Sequence, residues 1–143
     1  MTIPESQAVA ERELCGLVNG LAKQIEDHVR QRAATLGLTA PQATALREMT
    51  GPMAMRELAI RLGCEPSNAT FIVDKLEQGG LIERRPHPTD RRTKQLFLTP
   101  AGEELRARLI DLLIERSPLG GLTTEEQRTL HELLNRAVAG PAE

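Results

Sequence analysis

Residues 55–80 read MRELAIRLGCEPSNATFIVDKLEQGG, and this stretch decides the fold. Its apolar residues recur every three or four positions in two short blocks, which predicts one helix over about 54–62 and a second over 66–78. Gly63 supplies the turn between them, and a pair of glycines ends the second helix. Two helices joined by a glycine-containing turn are typical of a helix-turn-helix unit, whose second helix enters the major groove of DNA.

The exposed face of the second helix carries the first group of expected DNA contacts. An asparagine can bind an adenine edge with two hydrogen bonds, and serine and threonine can bind bases or phosphates, although both are also common in the first turn of any helix. Phe71 is open to two interpretations, since it either packs against thymine methyl groups or folds onto a neighbouring element. The expected contacts are Ser67, Asn68, Thr70, Phe71 and Lys75.

After this helix the period of the sequence changes. Residues 81–85 and 94–98 are predicted strands, and the prolines and Asp90 between them predict a loop, so that the strands form a hairpin. Residues 81–95 contain five basic side chains and two acidic ones, although the whole chain has a net charge of −2. Because arginine is attracted to a narrow minor groove, the hairpin is predicted to be a DNA-contacting wing; a solvated turn is the alternative. The expected contacts are Arg84, Thr89, Asp90, Arg91 and Arg92, with Asp90 holding a guanidinium.

The rest of the chain predicts more helices. With two Phe, no Tyr and no Trp among 143 residues, the core must be aliphatic, which suits helix-on-helix packing. Capping and periodicity predict further helices at about 6–36, 39–49, 99–116 and 123–139. The first of these would extend about 45 Å, more than the width of so small a domain. Part of its apolar stripe therefore lacks a partner within the chain, which points to a homodimer.

Together these motifs resemble the MarR family of bacterial transcription regulators. The resemblance rests on residues 55–63, 66–70, 73–77 and 80–82, and on Asp90-Arg91-Arg92 followed by 96–102. It implies a mainly α (α+β) winged helix-turn-helix fold in a single domain over 1–143. Residues 38–99 would form the DNA-binding unit, and helices within 1–36 and 100–143 would form the dimerisation region.

The resemblance also implies partners. The expected partner is double-stranded DNA with a palindromic operator, bound by a homodimeric repressor that is released by a small ligand or by cysteine oxidation. Ser67, Asn68 and Thr70 correspond to base or phosphate contacts, and Asp90 and Arg92 to the wing-tip pair. The chain departs from the family at Phe71, where a basic residue is frequent, and at Ala54, where a Ser or Thr cap is usual. The expected dimer contacts are Leu14, Leu17, Leu21, Leu109, Leu113, Leu130 and Leu134.

Other classes of function find little support. His28, His87 and His131 have no acidic or cysteine neighbours at metal-ligand spacing, and no catalytic constellation is recognisable. We therefore expect no metal, no cofactor and no enzymatic activity. The sequence contains neither a run of about 18 apolar residues nor a signal-peptide pattern, so a cytoplasmic protein without membrane contact is expected.

The two cysteines leave one alternative open. Cys15 and Cys64 are too few for a disulfide framework. Peroxide-sensing members of the family carry a reactive cysteine on the first helix, so Cys15 is a candidate redox sensor. Because no Tyr is present to partner it, the preferred interpretation is a small buried hydrophobe. The remaining alternative is a winged protein-interaction module, against which the clustered arginines argue. Any effector pocket is expected to be aliphatic.

Overall fold

The winged unit predicted from the sequence lies between a long first helix and two trailing helices. A computed structural model describes residues 5–141. Its elements are α1 (Glu5–Thr35), α2 (Ala40–Glu48), β1 (Met53–Ala54), α3 (Met55–Leu62), α4 (Pro66–Gln78), β2 (Ile82–Pro86), β3 (Lys94–Leu98), α5 (Pro100–Ile114) and α6 (Thr124–Ala139). The capping pair that Thr2 and Glu5 would form, from their spacing, lies outside what the structure describes. The mainly helical, winged helix-turn-helix fold is confirmed.

The sheet has one strand more than the predicted hairpin. Strands β2 and β3 pair in antiparallel fashion, with Arg84 opposite Leu96, and β1 adds to the other edge of β3, with Met53 opposite Leu96. The strand order is β1-β3-β2. Strand β1 has only two residues, too few for an alternating pattern to be visible in the sequence. Its buried Met53 ties the segment before α3 to the wing.

Helix starts follow the predicted caps. The hydroxyl of Thr39 accepts a hydrogen bond from the backbone N–H of Gln42 at 3.3 Å, and the Gln42 side chain accepts one from the backbone N–H of Thr39. Thr123 and Glu126 form the same reciprocal pair at the start of α6. Helix α3 begins after Ala54 without a side-chain cap, as the sequence predicted.

The core joins the helix-turn-helix unit to α5 and to the second half of α1. Among residues 6–35 of α1, only Val29 and Ala33 are buried. Leu109 of α5 is 0% exposed, packed in the core of its own chain. The expectation that Leu109 contacts a second copy is therefore wrong. Its stripe of leucines indicates a buried face, and the periodicity alone does not say which chain buries it.

Polar contacts fasten α1 to the end of α5. The Nε2 of His28 lies 2.8 Å from the carbonyl oxygen of Leu113, and the Nε of Arg32 donates to the carbonyl of Leu112 at 3.2 Å. The last carbonyls of a helix have no partner within it and favour cationic or N–H-bearing side chains. These contacts fix the second half of α1 against the core.

A tight junction connects the wing to α5. The hydroxyl of Thr99 caps α5 by accepting from the backbone N–H of Gly102 at 3.0 Å, and it donates to the carbonyl of Gly80 at 2.6 Å. A Cβ on Gly102 would overlap the carbonyl oxygen of Leu81. Glycine is required here because two backbone segments touch.

We expect Gly102→Ala to lower the free energy of unfolding by about 3 kcal/mol, because the backbone of Leu81 would have to move. Urea denaturation followed by circular dichroism measures it. The matched control is Gly51→Ala, since a Cβ at Gly51 meets nothing within 4 Å. The control is expected to be neutral or slightly stabilising. Equal stability of the two variants would contradict the close approach described here.

Candidate nucleic-acid interface

Helix α4 presents the predicted contact residues to solvent. Its buried residues are Ala69, Val73 and Leu76, which pack on the core and leave the opposite face free. Pro66 starts the helix, where a missing N–H costs nothing. The residues predicted to contact DNA that lie exposed on α4 are Ser67, Asn68, Phe71 and Lys75. Thr70 is half-buried, and its hydroxyl donates to the carbonyl of Pro66 at 2.9 Å.

Phe71 does not fold onto a neighbouring element. Its side chain is 64% exposed, and the Lys75 ammonium lies 5.5 Å from the centre of its ring. A cation over an aromatic face is a weak attraction at an exposed site. Of the two interpretations given for Phe71, packing onto a neighbouring element is not observed. Its ring forms an open apolar surface on the exposed face of α4, beside Lys75.

Arg84, which the sequence predicted to contact DNA, instead forms ion pairs within its own chain. Its guanidinium pairs with Asp74 and, at 3.8 Å, with Glu77, both on α4. Within residues 5–141 its Nε is buried without a hydrogen-bond partner. Arg84 therefore connects β2 to α4, and its charge is neutralised inside the chain. The charge pattern of the sequence did not reveal this, because the two acidic partners lie on a different element.

The wing tip is organised by side chains that bind the backbone. The Oδ1 of Asp90 accepts a hydrogen bond from the backbone N–H of Arg92 at 3.1 Å. Asp90 therefore binds the backbone of the turn, whereas the sequence had predicted that it would bind a guanidinium. Arg91 and Arg92 are exposed, and in the described part of the chain neither has a carboxylate within 4 Å. Thr89 is also exposed. The tip therefore offers two uncommitted guanidinium groups.

Two residues of the wing, Arg85 and His87, make contacts that were not predicted from the sequence. Arg85 pairs with Glu83 at 3.0 Å, and its guanidinium lies 4.6 Å from the centre of the Phe97 ring. His87 accepts hydrogen bonds from the backbone of the loop that follows it. A histidine between two prolines was the available signal for the second residue; no sequence signal marked the first.

Comparisons with known proteins agree with this geometry. The MarR family model matches residues 38–94. The putative transcriptional regulatory protein for the hcr operon of Thauera aromatica is 30% identical over 89% of this chain and 87% of its own length. The chain belongs to the MarR family. The relatives that match it are named as transcriptional regulators.

Other MarR-type relatives align over a shorter region. The transcriptional regulator YkoM of Bacillus subtilis is 33% identical over 61% of this chain and 58% of its own length. The transcriptional repressor MdtR of the same organism is 31% identical over 60% and 57%. The chain thus spans a little over half the length of these two relatives. A crystal structure of mutant MarR from E. coli complexed with operator DNA has a TM-score of 0.70 at 24% identity, over 87% of this chain and 93% of that one.

A cavity of about 680 Å³ adjoins α4 of this MarR-family chain. It lies between α1, α2, the end of α3 and α4. Its lining is mainly apolar and includes Glu26, Leu62, Cys64, Phe71 and Lys75. The ring of Phe71 forms part of the wall, so this cavity is not lined by aliphatic side chains alone.

The expected dimerisation surface is largely unpartnered. Residues 6–20 of α1 are all exposed, and no residue of α6 is buried. Leu21, Leu113 and Leu130 are half-buried within the chain, and Leu113 packs against the core. The exposed large apolar residues on α1, α6 and the end of α5 are Val9, Leu14, Leu17, Val18, Ile114, Leu133, Leu134 and Val138.

Cys15 lies in this same exposed part of α1. The preferred interpretation of a buried hydrophobe is wrong for the single chain, since α1 projects past the core at that point. Cys64 is half-buried. In the region covered by residues 5–141 no group of three potential metal ligands comes together, and no helix has both the length and the apolar character needed to cross a bilayer.

Proposed function

We propose that the protein is a homodimeric transcriptional repressor that binds a palindromic operator on chromosomal DNA in the cytoplasm. The observation that carries the proposal is the pairing of an exposed face on α4 with a wing tip whose two guanidinium groups have no salt-bridge partner among residues 5–141. A major groove about 12 Å wide admits one helix, and a narrow minor groove attracts arginine. Residues 38–99 would form the reading unit.

In this arrangement the contacts divide by chemistry. Ser67 and Asn68 at the start of α4 bind base edges or phosphates, and Phe71 packs on a thymine methyl group. Lys75 and the wing arginines bind phosphates or the minor groove. Arg84, which is neutralised by Asp74, positions the wing and makes no contact of its own.

The dimer would be formed by the first half of α1 together with α6. Both segments carry large apolar side chains that their own chain leaves exposed, and such a contiguous surface is uncommon on a monomer. A two-fold dimer also matches a palindromic site, because each protomer reads one half-site. MdtR, a relative of this chain, is a repressor, and E. coli MarR binds operator DNA as its crystal structure describes.

We further propose that the cavity beside α4 receives the effector. A ligand of mixed apolar and charged character would contact Phe71 and face Lys75 or Glu26. Since Phe71 and Lys75 are also assigned to DNA, the ligand and the operator would compete for the same side chains. This gives the release of DNA a direct physical cause.

The deciding experiment is a gel shift on the intergenic DNA upstream of the protein's own gene, with salt titrated. A discrete complex that resists competitor DNA and weakens steeply with salt is the expected result. Binding that is indifferent to sequence on this DNA and on duplexes selected from a random pool would reject the operator assignment. The winged unit would then serve a protein partner instead.

Oxidation of Cys15 would be a second trigger for release, because Cys15 lies in the half of α1 assigned to the dimer contact and a polar oxidised side chain would disturb that contact. Peroxide treatment of the wild type and of Cys15→Ser, followed by the same gel shift, separates the two triggers. Loss of the complex in the wild type alone would assign the trigger to Cys15; loss in both, or in neither, would reject it.

The role of Phe71 can be tested with single thymine-to-uracil replacements in the operator, which remove one methyl group each. At the contacted position we expect wild-type affinity to fall about fourfold, the worth of one buried methyl at about 0.8 kcal/mol. Phe71→Ala is expected to bind less tightly and to be insensitive to that replacement. Gln78→Ala, an exposed change at the other end of α4, serves as the control and keeps the sensitivity. Equal sensitivity in Phe71→Ala would remove Phe71 from the interface.

A further inference from the structure

One imidazole holds the wing tip in shape. His87 follows directly after β2 and is half-buried. Its Nδ1 accepts hydrogen bonds from the backbone N–H of Thr89 at 3.1 Å and from that of Asp90 at 3.3 Å. The hydroxyl of Thr89 also lies 3.1 Å from the same nitrogen. Three polar groups of the tip therefore converge on a single ring atom.

These contacts fit one form of the ring, the neutral imidazole with its proton on Nε2. A backbone N–H can only donate, and in that form Nδ1 offers the lone pair that accepts. An imidazolium carries N–H groups on both nitrogens and cannot accept at Nδ1. Protonation of His87 would therefore leave the amides of Thr89 and Asp90 facing another donor.

The network continues from His87 to the arginines. The backbone N–H of His87 donates to the carbonyl of Thr93 at 2.9 Å, which closes the loop. The carbonyl of Asp90 accepts from the backbone N–H and the hydroxyl of Thr93, and its carboxylate accepts from the backbone N–H of Arg92. Asp90 thus links the turn that carries Arg91 and Arg92 to the ring of His87.

We propose that neutral His87 is a positioning residue for DNA binding, which holds the wing-tip arginines in their binding geometry and releases them when Nδ1 is protonated. The inference rests on the proposed function. Histidine is the side chain that changes charge between pH 5 and 8. Operator affinity should therefore fall once Nδ1 of His87 carries a proton.

A second effect of protonation has the opposite sign. The charged residues of the hairpin that carries His87 are Glu83, Arg84, Arg85, Asp90, Arg91, Arg92 and Lys94. Glu83 pairs with Arg85, and Asp74 and Glu77 of α4 face Arg84 at the base of the hairpin. A cationic His87 would add one more positive charge close to phosphates and so raise affinity and its salt dependence. The direction in which operator affinity changes on protonation distinguishes the two roles of His87. A loss of affinity indicates that His87 positions the arginines, and a gain indicates direct attraction to phosphates.

The experiment compares four proteins at pH 7.5 and pH 5.5 on the upstream intergenic duplex. We expect wild-type affinity to fall about tenfold at the lower pH, the equivalent of losing one to two ordinary hydrogen bonds. His87→Asn should bind like the wild type at both values, because an amide oxygen accepts from backbone N–H groups and does not titrate. His87→Ala should bind weakly at both. His131→Asn, the matched control on α6, should keep the wild-type response.

A spectroscopic arm needs no DNA. In ¹⁵N spectra of the full chain, Nδ1 of His87 should show the shift of an unprotonated nitrogen at pH 7.5, and the amide signals of Thr89 and Asp90 should move with its titration. Higher affinity at pH 5.5, an unchanged response in His87→Asn, or a proton on Nδ1 at pH 7.5 would each overturn the proposal. Absence of any specific complex at pH 7.5 would instead count against the proposed function, while the nitrogen spectra would still decide the role of His87.

Discussion

Leu17→Asp is expected to convert the protein to a monomer and to weaken operator binding by about 100-fold or more. The side chain of Leu17 is 70% exposed and lies in the half of α1 that its own chain leaves uncovered. In a two-fold dimer the substitution occurs twice and places an unpaired carboxylate in each half of an apolar contact. A monomer loses the gain of binding two half-sites at once, which reaches 10²- to 10⁴-fold for linked sites.

Sedimentation velocity measures the dimer and a gel shift measures the affinity. The matched control is Ile60→Asp, because Ile60 is 74% exposed on α3, away from the proposed dimer surface. The control should remain dimeric. Since Leu17 contributes nothing to the core, circular dichroism should be unchanged in both variants. Leu17→Asp sedimenting as a dimer would remove α1 from the interface.

The second large effect is expected at the wing tip. Replacing Arg91 and Arg92 together with alanine should weaken operator binding by about tenfold or more at 0.1 M salt. The slope of log affinity against log salt should become shallower by about 1.8, since each neutralised phosphate contributes about 0.9 to that slope. Both guanidinium groups are exposed and uncommitted in the free protein, so their removal leaves no acidic partner stranded.

Arg85→Ala provides the matched control for this slope. Arg85 lies on the same hairpin, but its guanidinium is paired with Glu83 and stacked on Phe97. Its loss should leave the slope unchanged within about half a unit. A double variant with the wild-type slope would show that the tip does not reach the DNA, and the wing assignment would have to be abandoned.

The helices and most of their ends could be predicted from the sequence because those signals are local. The capping pair of Thr39 with Gln42 depends on residues three positions apart, and α4 was placed with its observed ends, Pro66 and Gln78. The third strand was not predictable, since Met53 pairs with Leu96 across 43 positions and belongs to a strand of two residues. Its partner is visible only in three dimensions.

The contact partners of charged and apolar side chains were harder to predict from the sequence than the helices themselves. Arg84 was assigned to DNA on charge alone, yet Asp74 on the helix before it takes up that charge. The resemblance and the leucine periodicity of its helix placed Leu109 in the dimer contact, although the core of its own chain covers it completely. In both cases the residue type predicted the kind of contact, an ion pair for Arg84 and apolar packing for Leu109. It did not predict which residues form the other side of that contact.

The contact between Gly102 and Leu81 has a consequence for the operators that the protein would select. Helix α5 starts where the wing ends, and the backbones of the two elements touch. The hydroxyl of Thr99 also donates a hydrogen bond to the carbonyl of Gly80, so α5 and the wing are held in one relative orientation. In a dimer, the distance between the two copies of α4 would then be set by the helices that form the dimer contact. Such a dimer would accept only a fixed spacing between half-sites. It would select operators by the spacing of their half-sites, about one turn of the double helix or a multiple of it, as well as by their bases.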